Sequence, residues 1–344
     1  MKELTISDIA NLANVSTSTV SRVLNCSDLV KEDTRRKVLS IIEREGYSPS
    51  AVAKNLSQKV SENVGVMVQG IHNVFFGNLL RGVMNVANNN GLIVTCSDSE
   101  DNMQKDMAAI DVFKNQRVRG LLYTPAIDYR NIQEKKMLEK HLKMLNRPVI
   151  LMDRQLGGME FDGVFFDDEK AINKATKALI NAGHTKIAII NAMPDRISPR
   201  LRQKGYEDAL LSAGLPVEQR YIFFGDYSME TAYRLSVKLL SMTDRPTAVI
   251  TCNNWTSMGF IKAVSERGEI MPDDIACIGL DQLEVLDIAN ISFNYILRDS
   301  KLMGERAMEL LINRMAFPER PKQTIMLEAP LVIKNSRIFL SAAR

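Results

Sequence analysis

The chain has 344 residues, of which 45% are hydrophobic and 25% are charged. A chain of this length folds into two or three domains, and its composition is ordinary for a globular protein. No apolar run reaches the length of a membrane span, and the N-terminus lacks the apolar segment of a signal peptide. We therefore expect a cytoplasmic protein without membrane contact. The net charge of +3 is too small to indicate nucleic-acid binding by itself.

The sequence carries no signature of a metal site, a cofactor site or an enzyme. Its four cysteines are widely spaced, and its three histidines form no metal-ligand motif. We expect reduced thiols, no metal and no cofactor. Phosphate-binding loops, dinucleotide-binding motifs and serine-hydrolase motifs are also missing from the sequence. The composition and motifs therefore favour a protein that is not an enzyme.

The first segment with a clear pattern predicts two short helices separated by a tight turn. Thr5 and Asp8 have the spacing of a capped helix start, and apolar residues follow on one face. Asn14 tolerates a left-handed backbone and can end this helix. Ser16 is then a suitable N-cap for the second helix.

The second predicted helix carries a polar face. Thr17, Ser18, Ser21 and Arg22 recur on one side of it. Short hydroxyl side chains let the helix approach another surface closely, and Arg22 can donate two parallel hydrogen bonds to guanine O6 and N7. The pattern predicts a helix-turn-helix that reads DNA, although an ordinary pair of amphipathic helices would also satisfy it.

A third helix and a weak fourth one follow. Apolar residues between Val38 and Ile42 form a stripe, and Gly46 is a suitable helix stop. After Pro49, residues 51–58 could form a short helix with too little apolar surface to be stable alone. Leu56 has no apolar partner within that segment.

These residues resemble the LacI/GalR family of bacterial transcription regulators. The resemblance covers nearly the whole chain and rests on "TISDIANLANVSTSTVSRVLN", then "TRRKVL", "EGYSPSAVAKNL" and "VGVMV". It implies an all-α helix-turn-helix headpiece in residues 1–47, a hinge helix and linker in 48–61, and an effector-binding and dimerisation core in 62–344. The glycine that the family usually has in the turn is Asn14 here, a mild departure.

The resemblance also implies the DNA contacts. Base contacts in the major groove fall to Thr17, Ser18 and Arg22. The other residues that we place with the DNA-binding set in the headpiece are Thr5, Ser16, Thr19, Ser21, Asn25 and Thr34. Two hinge segments are expected to fold side by side in the minor groove, with Leu56 wedged into a base step and Ala53 and Lys54 nearby. The implied partners are a palindromic double-stranded operator and a second copy of the chain in a homodimer.

From residue 62 onward, short apolar runs such as "VGVMV", "KIAII" and "TAVIT" alternate with amphipathic helices. This alternation predicts an α/β core with parallel sheets, and there are enough strands for two subdomains. With the resemblance, we expect two doubly wound, periplasmic-binding-protein-like subdomains. We place the N-subdomain in about 62–160 and 292–324, and the C-subdomain in about 161–291 and 325–344.

Ligands of open α/β folds bind beyond the carboxyl ends of the strands. Polar and aromatic residues that follow the predicted strands or lie in nearby loops and helices are Asn73, Phe75, Phe76, Asp153, Arg200, Arg202, Tyr227, Asn253 and Asp281. In the family, residues at these positions contribute to an effector cleft. Arg202 matches an arginine that binds effector hydroxyls or carboxylates. Each residue also has a simpler structural explanation: Asp153 could cap a turn, Asn253 could support a loop, and the phenylalanines could pack in the core.

The chain departs from the family pattern at three places. "CNN" at Cys252 to Asn254 stands where the family often has "AND", so a carboxylate is replaced by an amide. "RG" at Arg119 and Gly120 stands where "DG" is common. Arg298 stands where glutamine is common.

The last departure suggests a hypothesis about the effector. Arg298 together with Arg200 and Arg202 would make the cleft unusually basic, which favours a negatively charged effector such as a sugar phosphate or a sugar acid. The alternative is that Arg298 is solvated or paired with Asp299 or Glu305.

The sequence thus predicts a DNA-binding regulator, most simply a repressor, that is controlled by a small carbohydrate-type effector between the core subdomains. Coupling of this kind typically changes DNA affinity by about 1 to 3 kcal/mol, and the sequence does not decide whether the effector releases or tightens the complex. Two alternatives stay open at this point. The chain could be a ligand-binding protein without a regulatory role, or a regulator that depends on a partner protein as corepressor.

Overall fold

The structure is a computed structural model, and it describes residues 4–24, 30–47, 62–126, 132–158, 160–194 and 196–335. The chain divides into two compact units, Met1–Ser61 and Glu62–Arg344. The expected hinge helix lies outside the described residues, as do the predicted DNA contacts Asn25, Ala53, Lys54 and Leu56. Within the described ranges, every helix is too short or too polar to cross a bilayer.

The first unit contains three helices: α1 (Ile6–Ala13), α2 (Thr17–Leu24) and α3 (Glu32–Arg44). The Thr5 hydroxyl oxygen accepts a hydrogen bond from the Asp8 N–H, and the Asp8 carboxylate accepts one from the Thr5 N–H, so α1 begins with a capping box. Asn14 ends α1 in the left-handed conformation, with φ 52° and ψ 49°. The buried core of this unit consists of Ile9, Ala10, Ala13, Val20, Val23, Val38 and Ile41.

The second unit contains two six-stranded sheets with helices on their faces. Its strands are β1 (Asn63–Val68), β2 (Ile93–Asp98), β3 (Leu121–Tyr123), β4 (Val149–Met152), β5 (Asp162–Phe166), β6 (Ile187–Ala192), β7 (Ile222–Gly225), β8 (Ala248–Thr251), β9 (Ala276–Leu280), β10 (Asn294–Ile296), β11 (Thr324–Leu327) and β12 (Leu331–Val332). Its α-helices are α4 (Val74–Asn89), α5 (Met103–Asn115), α6 (Ile132–Leu145), α7 (Asp168–Asn181), α8 (Ile197–Ser212), α9 (Met229–Leu240), α10 (Asn254–Glu266), α11 (Glu284–Ile288) and α12 (Ser300–Ala316).

The strand order confirms the predicted doubly wound architecture. The first sheet has the order β11-β5-β4-β3-β1-β2 and is parallel throughout. The second has the order β12-β10-β9-β8-β6-β7, and β12 is antiparallel to β10. In the first sheet, β2 lies on one side of β1 and β3 on the other; in the second sheet, β7 and β8 flank β6 in the same way. The strand order therefore reverses beside β1 and beside β6. Such a switch point opens a crevice at the carboxyl ends of the strands, where ligands bind in this architecture.

The chain crosses between the subdomains at positions that differ from those expected. β5 pairs with β4 in the first sheet, whereas the prediction from sequence places residues from 161 onward in the C-subdomain. β10 pairs with β9 in the second sheet rather than returning to the N-subdomain at 292. β11 pairs with β5, so the last crossing comes after Leu327. A short apolar strand is equally compatible with either sheet, and only its distant partner decides where it pairs.

Two glycines allow α4 and α12 to pack backbone against backbone. A Cβ on Gly304 would overlap the carbonyl of Leu79, and one on Gly82 would overlap the carbonyl of Lys301. We expect Gly304→Ala to lower the free energy of unfolding by about 1 to 3 kcal/mol, because the helices would have to separate. Gly77 lies on the exposed side of α4 with open space around it, so Gly77→Ala should stabilise by about 0.5 to 1 kcal/mol. Urea unfolding measures the free energy of unfolding of both variants. Changes of the same sign in the two variants would contradict the close packing of α4 against α12.

Candidate functional site

The surface of α2 presents hydroxyls and one arginine, as the sequence predicts. Thr17, Ser18 and Arg22 are exposed, and Thr19 and Ser21 are half-buried. The side chains that fill the core lie on the opposite face of the same helix, so the polar face is available to a partner.

Two other headpiece residues of the predicted DNA-binding set cap helices. The Ser16 hydroxyl accepts a hydrogen bond from the Thr19 N–H at 3.2 Å and so caps α2. Thr5 caps α1 and is exposed, and Thr34 is half-buried near the start of α3.

The second unit contains a cavity of about 630 Å³ between its two sheets, lined by residues that follow strands of both subdomains. Its size is typical of a small-molecule site. Among the lining residues are the predicted effector contacts Asn73, Phe75, Phe76, Asp153, Arg202, Tyr227, Asn253, Asp281 and Arg298. Arg200 is exposed and does not line the cavity. Two residues along α8 correspond to roughly 200° of rotation, so Arg200 and Arg202 cannot face the same way.

Several residues reach this cavity from a strained backbone. Asp153 and Asp281 directly follow β4 and β9 and have φ of 60° and 80°. Glu100, Asp101 and Tyr227 also have positive φ and line the cavity. A left-handed backbone is uncommon for residues other than glycine and is unfavourable for a side chain as large as tyrosine. Its concentration here marks this cavity as a functional site.

Arg298 lies at the centre of a buried ionic network. Its Nε and Nη2 donate to the two carboxylate oxygens of Asp281, each at 2.8 Å, and its Nη1 donates to Asp153 Oδ1 at 3.1 Å. Arg298 is therefore paired, but not with the neighbours that we considered. Asp299 caps α12, and Glu305 lies 3.6 Å from Lys301 Nζ.

Arg202 is buried beside this network. Its Nη1 donates to the Tyr227 hydroxyl at 3.0 Å and to the Cys252 carbonyl at 2.8 Å, and its Nη2 lies 3.1 Å from Asp168 Oδ2. Its Nε has no hydrogen-bond partner within the described part of the chain. The buried Asp168 was missed by the sequence analysis. It is the first residue of α7, where an acidic side chain is common for local reasons.

Burial and charge set the protonation of these groups. Burial alone lowers the pKa of Arg298, but Asp281 and Asp153 outweigh it and raise that pKa above its usual value. Burial raises the pKa of Tyr227 to about 12 and that of the Cys252 thiol to about 12. At neutral pH the cavity lining therefore includes a charged guanidinium at Arg298 and a neutral phenol at Tyr227, and the buried Cys252 thiol is also neutral.

The cavity is not basic. Its charged lining residues are Arg154, Arg196, Arg202, Arg298, Glu100, Asp101, Asp153, Asp226, Glu230 and Asp281. Carboxylates thus outnumber guanidinium groups in the lining. This corrects the expectation of a basic cleft, because Arg200 lies outside the cavity and Arg202 and Arg298 are already paired with aspartates.

Aromatic groups form part of the walls. The Arg298 guanidinium lies 4.5 Å from the centre of the Phe75 ring, and Phe75 meets Phe76 edge to face with 5.3 Å between the ring centres. Both phenylalanines are largely buried and act mainly as core. Trp255, the one tryptophan in the chain, also lines the cavity and was missed by the sequence analysis. Within the described ranges, no cluster of three or more possible metal ligands is found.

Comparison with known proteins agrees with this arrangement. Residues 5–50 match the family described as bacterial regulatory proteins, lacI family. Residues 61–332 match periplasmic binding proteins and the sugar binding domain of the LacI family. Catabolite control protein A from Priestia megaterium is 33% identical over 91% of this chain and 92% of its own length. The transcriptional repressor PurR from Photobacterium profundum is 30% identical over 96% of this chain and 98% of its own length.

A solved structure shares the fold over nearly the whole chain. The structure of the lac repressor dimer bound to operator and the anti-inducer ONPF covers 97% of this chain and 99% of its own, with 25% identity and a TM-score of 0.83. Family matches cover both units, and the relatives match along almost their full length. The chain therefore belongs to the LacI family and is a DNA-binding transcriptional regulator with a ligand-binding core.

Proposed function

We propose that the protein is a homodimeric repressor that binds a palindromic operator through α2 and is controlled by an uncharged, hydroxyl-rich molecule in the cavity of the second unit. The observation that carries this proposal is the charge of the cavity lining, where carboxylates outnumber arginines. A phosphate or acid group would meet an excess of like charge there.

The polar groups of the cavity suit a neutral sugar. Hydroxyl groups both donate and accept hydrogen bonds, so they can satisfy a carboxylate such as Asp153 and a guanidinium such as Arg196 in the same site. Tyr227 and Trp255 add the ring surfaces on which the apolar face of a sugar can rest. Residues 61–332 match a family that includes the sugar binding domain of LacI proteins, which agrees with this ligand class.

Calorimetric titration of the full-length protein tests the ligand class. The panel contains neutral monosaccharides and disaccharides, sugar phosphates, sugar acids, and uncharged nucleobases, which lack hydroxyls. We expect binding of a neutral sugar, loss of that binding in Arg202→Gln, and unchanged binding in Arg200→Gln, because only Arg202 lines the cavity. Binding restricted to the anionic compounds would contradict the proposal, and so would binding restricted to nucleobases.

Selection of bound duplexes from a random DNA pool tests the proposed binding of a homodimer to a palindromic operator. A homodimer should enrich a palindrome whose half-sites are related by two-fold symmetry. Adding the sugar identified by titration should then change the operator affinity by about 5- to 150-fold. Enrichment of single, unpaired half-sites would contradict the homodimer.

A further inference from the structure

Asp168 and Arg202 form an ion pair that is buried on both sides. Arg202 Nη2 donates to the Asp168 carboxylate, 3.3 Å from Oδ1 and 3.1 Å from Oδ2, and the two side chains are 6% and 5% exposed. Arg202 lines the cavity, whereas Asp168 is not among the lining residues. A carboxylate that is buried this deeply is unfavourable unless it is paired, so its role must be sought in its partner.

The start of α7 does not need the Asp168 side chain. Asp167 is the N-cap, and its Oδ1 accepts a hydrogen bond from the Lys170 N–H at 3.0 Å. Glu169 places a second, partly exposed carboxylate in the first turn, where it interacts favourably with the helix dipole. The helix therefore has its cap and an acidic first turn without Asp168. The buried carboxylate of Asp168 serves Arg202 rather than its own helix.

A backbone contact between α7 and α8 fixes where this ion pair forms. A Cβ on Gly205 would lie 2.2 Å from the Glu169 carbonyl oxygen, so a glycine is needed for the helices to approach this closely. The Gly205 carbonyl also accepts a hydrogen bond from Asn173 Nδ2 at 3.1 Å. Gly205 comes about one helical turn after Arg202, and Glu169 directly follows Asp168. The packing of the two helices thus sets the separation of the two charges.

Three partners hold the Arg202 guanidinium. Besides Asp168, the Tyr227 hydroxyl and the Cys252 carbonyl accept hydrogen bonds from its Nη1 at 3.0 and 2.8 Å. Within the described residues, Asp168 is the one ion-pair partner of Arg202. Asp168 Oδ1 also lies 4.0 Å from Arg298 Nη1, so its negative charge acts on both buried guanidinium groups.

We propose that Asp168 is a positioning residue of the effector site, which fixes the orientation of the Arg202 guanidinium without touching the effector. The inference rests on the proposed function, because it takes Arg202 to be a contact of the neutral sugar. A guanidinium is a planar fork, so its hydrogen bonds depend on its orientation as well as on its charge. Without the partner at Nη2, the guanidinium is less restricted, and binding a sugar must then pay for ordering it.

The restriction of Arg202 can be measured without ligand or DNA. In the full-length protein with ¹⁵N-labelled arginine, a guanidinium that is held at both ends rotates slowly about its Nε–Cζ bond and gives separate Nη signals. Arg202→Lys assigns these signals by removing them. Asp168→Asn keeps the size of the side chain and removes its charge, so we expect faster exchange between the Arg202 Nη signals. The control is Asp208→Asn, which breaks an exposed pair with Lys204 on α8 and should leave the signals unchanged.

Sugar affinity provides the second test. The calorimetric titration with neutral sugars, glucose and cellobiose among them, is repeated with each variant. We expect Asp168→Asn to weaken binding of the sugar that the wild type binds by about 2- to 150-fold, because the two side chains act as a unit. The same substitution should have little further effect in Arg202→Lys. Asp168→Glu keeps the charge, so it should retain separate Nη signals and more affinity than Asp168→Asn.

Urea unfolding of each variant measures separately how much the ion pair stabilises the fold. A purely structural role of Asp168 would lower the urea midpoint and leave the Arg202 signals and the sugar affinity as in the wild type, which would overturn the proposal. Equal weakening by Asp168→Asn in the wild type and in Arg202→Lys would also overturn it. If Asp168→Asn does not fold, exchange in Asp168→Glu as fast as in an exposed arginine would contradict the proposal. Failure of every sugar to bind would count against the proposed function, and the Arg202 signals would then decide the role of Asp168 alone.

Discussion

Replacing Arg298 by alanine is expected to lower the free energy of unfolding of the second unit by about 3 to 5 kcal/mol. The guanidinium makes two hydrogen bonds to Asp281 and one to Asp153, and all three side chains are 12% exposed or less. Without the Arg298 guanidinium, the buried carboxylates of Asp281 and Asp153 lose the positive charge that compensates them. The loss should appear as a lower urea midpoint of the core transition in the full-length protein.

Two further variants show whether this effect comes from unpaired charge. Arg298→Met combined with Asp281→Asn removes both charges of the tightest pair, and asparagine tolerates the φ of 80° at this position, so we expect it to recover part of the lost stability. Arg306→Ala removes an arginine whose pair with Glu309 is about half exposed, so its effect should stay within about 0.5 kcal/mol. If Arg298→Ala were no more destabilised than Arg306→Ala, the network would not support the core in the way that its geometry indicates.

Replacing Arg22 by alanine is expected to remove most of the sequence-specific DNA binding. A bidentate arginine contact to guanine contributes about 1 to 3 kcal/mol of discrimination, and the proposed homodimer would make it once in each half-site. The affinity for the selected operator should therefore fall by roughly 30-fold to more than 10⁴-fold. The affinity for random duplex should fall much less, since only one cation per subunit is lost.

Arg44→Ala is the control for Arg22→Ala. Arg44 lies in the last turn of α3, so this variant removes the same charge from the first unit without changing α2. Fluorescence anisotropy with operator and with random duplex, at several salt concentrations, separates loss of base recognition from loss of charge. Equal effects of the two substitutions on operator and random duplex would show that Arg22 contributes charge alone.

Features that are encoded locally could be predicted from the sequence. Thr5, Asp8 and Asn14 identify the bounds of α1, because capping and left-handed helix ends depend on residues within a few positions. The parallel α/β architecture follows from short buried strands that alternate with helices. The cavity could be placed at the strand ends because the topology fixes where such a crevice opens.

The charge of the cavity could not be predicted, because it depends on distant partners. Arg298 meets Asp281 and Asp153, which are 17 and 145 positions away in the chain. Counting arginines therefore predicted a basic cleft, whereas the folded chain brings carboxylates to the same place. Asp168 was missed for the same reason, since its pairing with Arg202 spans 34 positions and its sequence neighbourhood explains it as a helix start.

The left-handed residues around the cavity also limit how the protein can evolve. Glycine at Asp153, Tyr227 or Asp281 would relieve backbone strain, and it would also delete a side chain that lines the cavity. At these positions the substitution that best suits the backbone is the one that removes the side chain from the cavity lining. A lineage under selection for heat resistance alone should therefore accumulate glycine or asparagine here and lose its effector response. A lineage that changes its effector should instead exchange these side chains while keeping the same strained backbone.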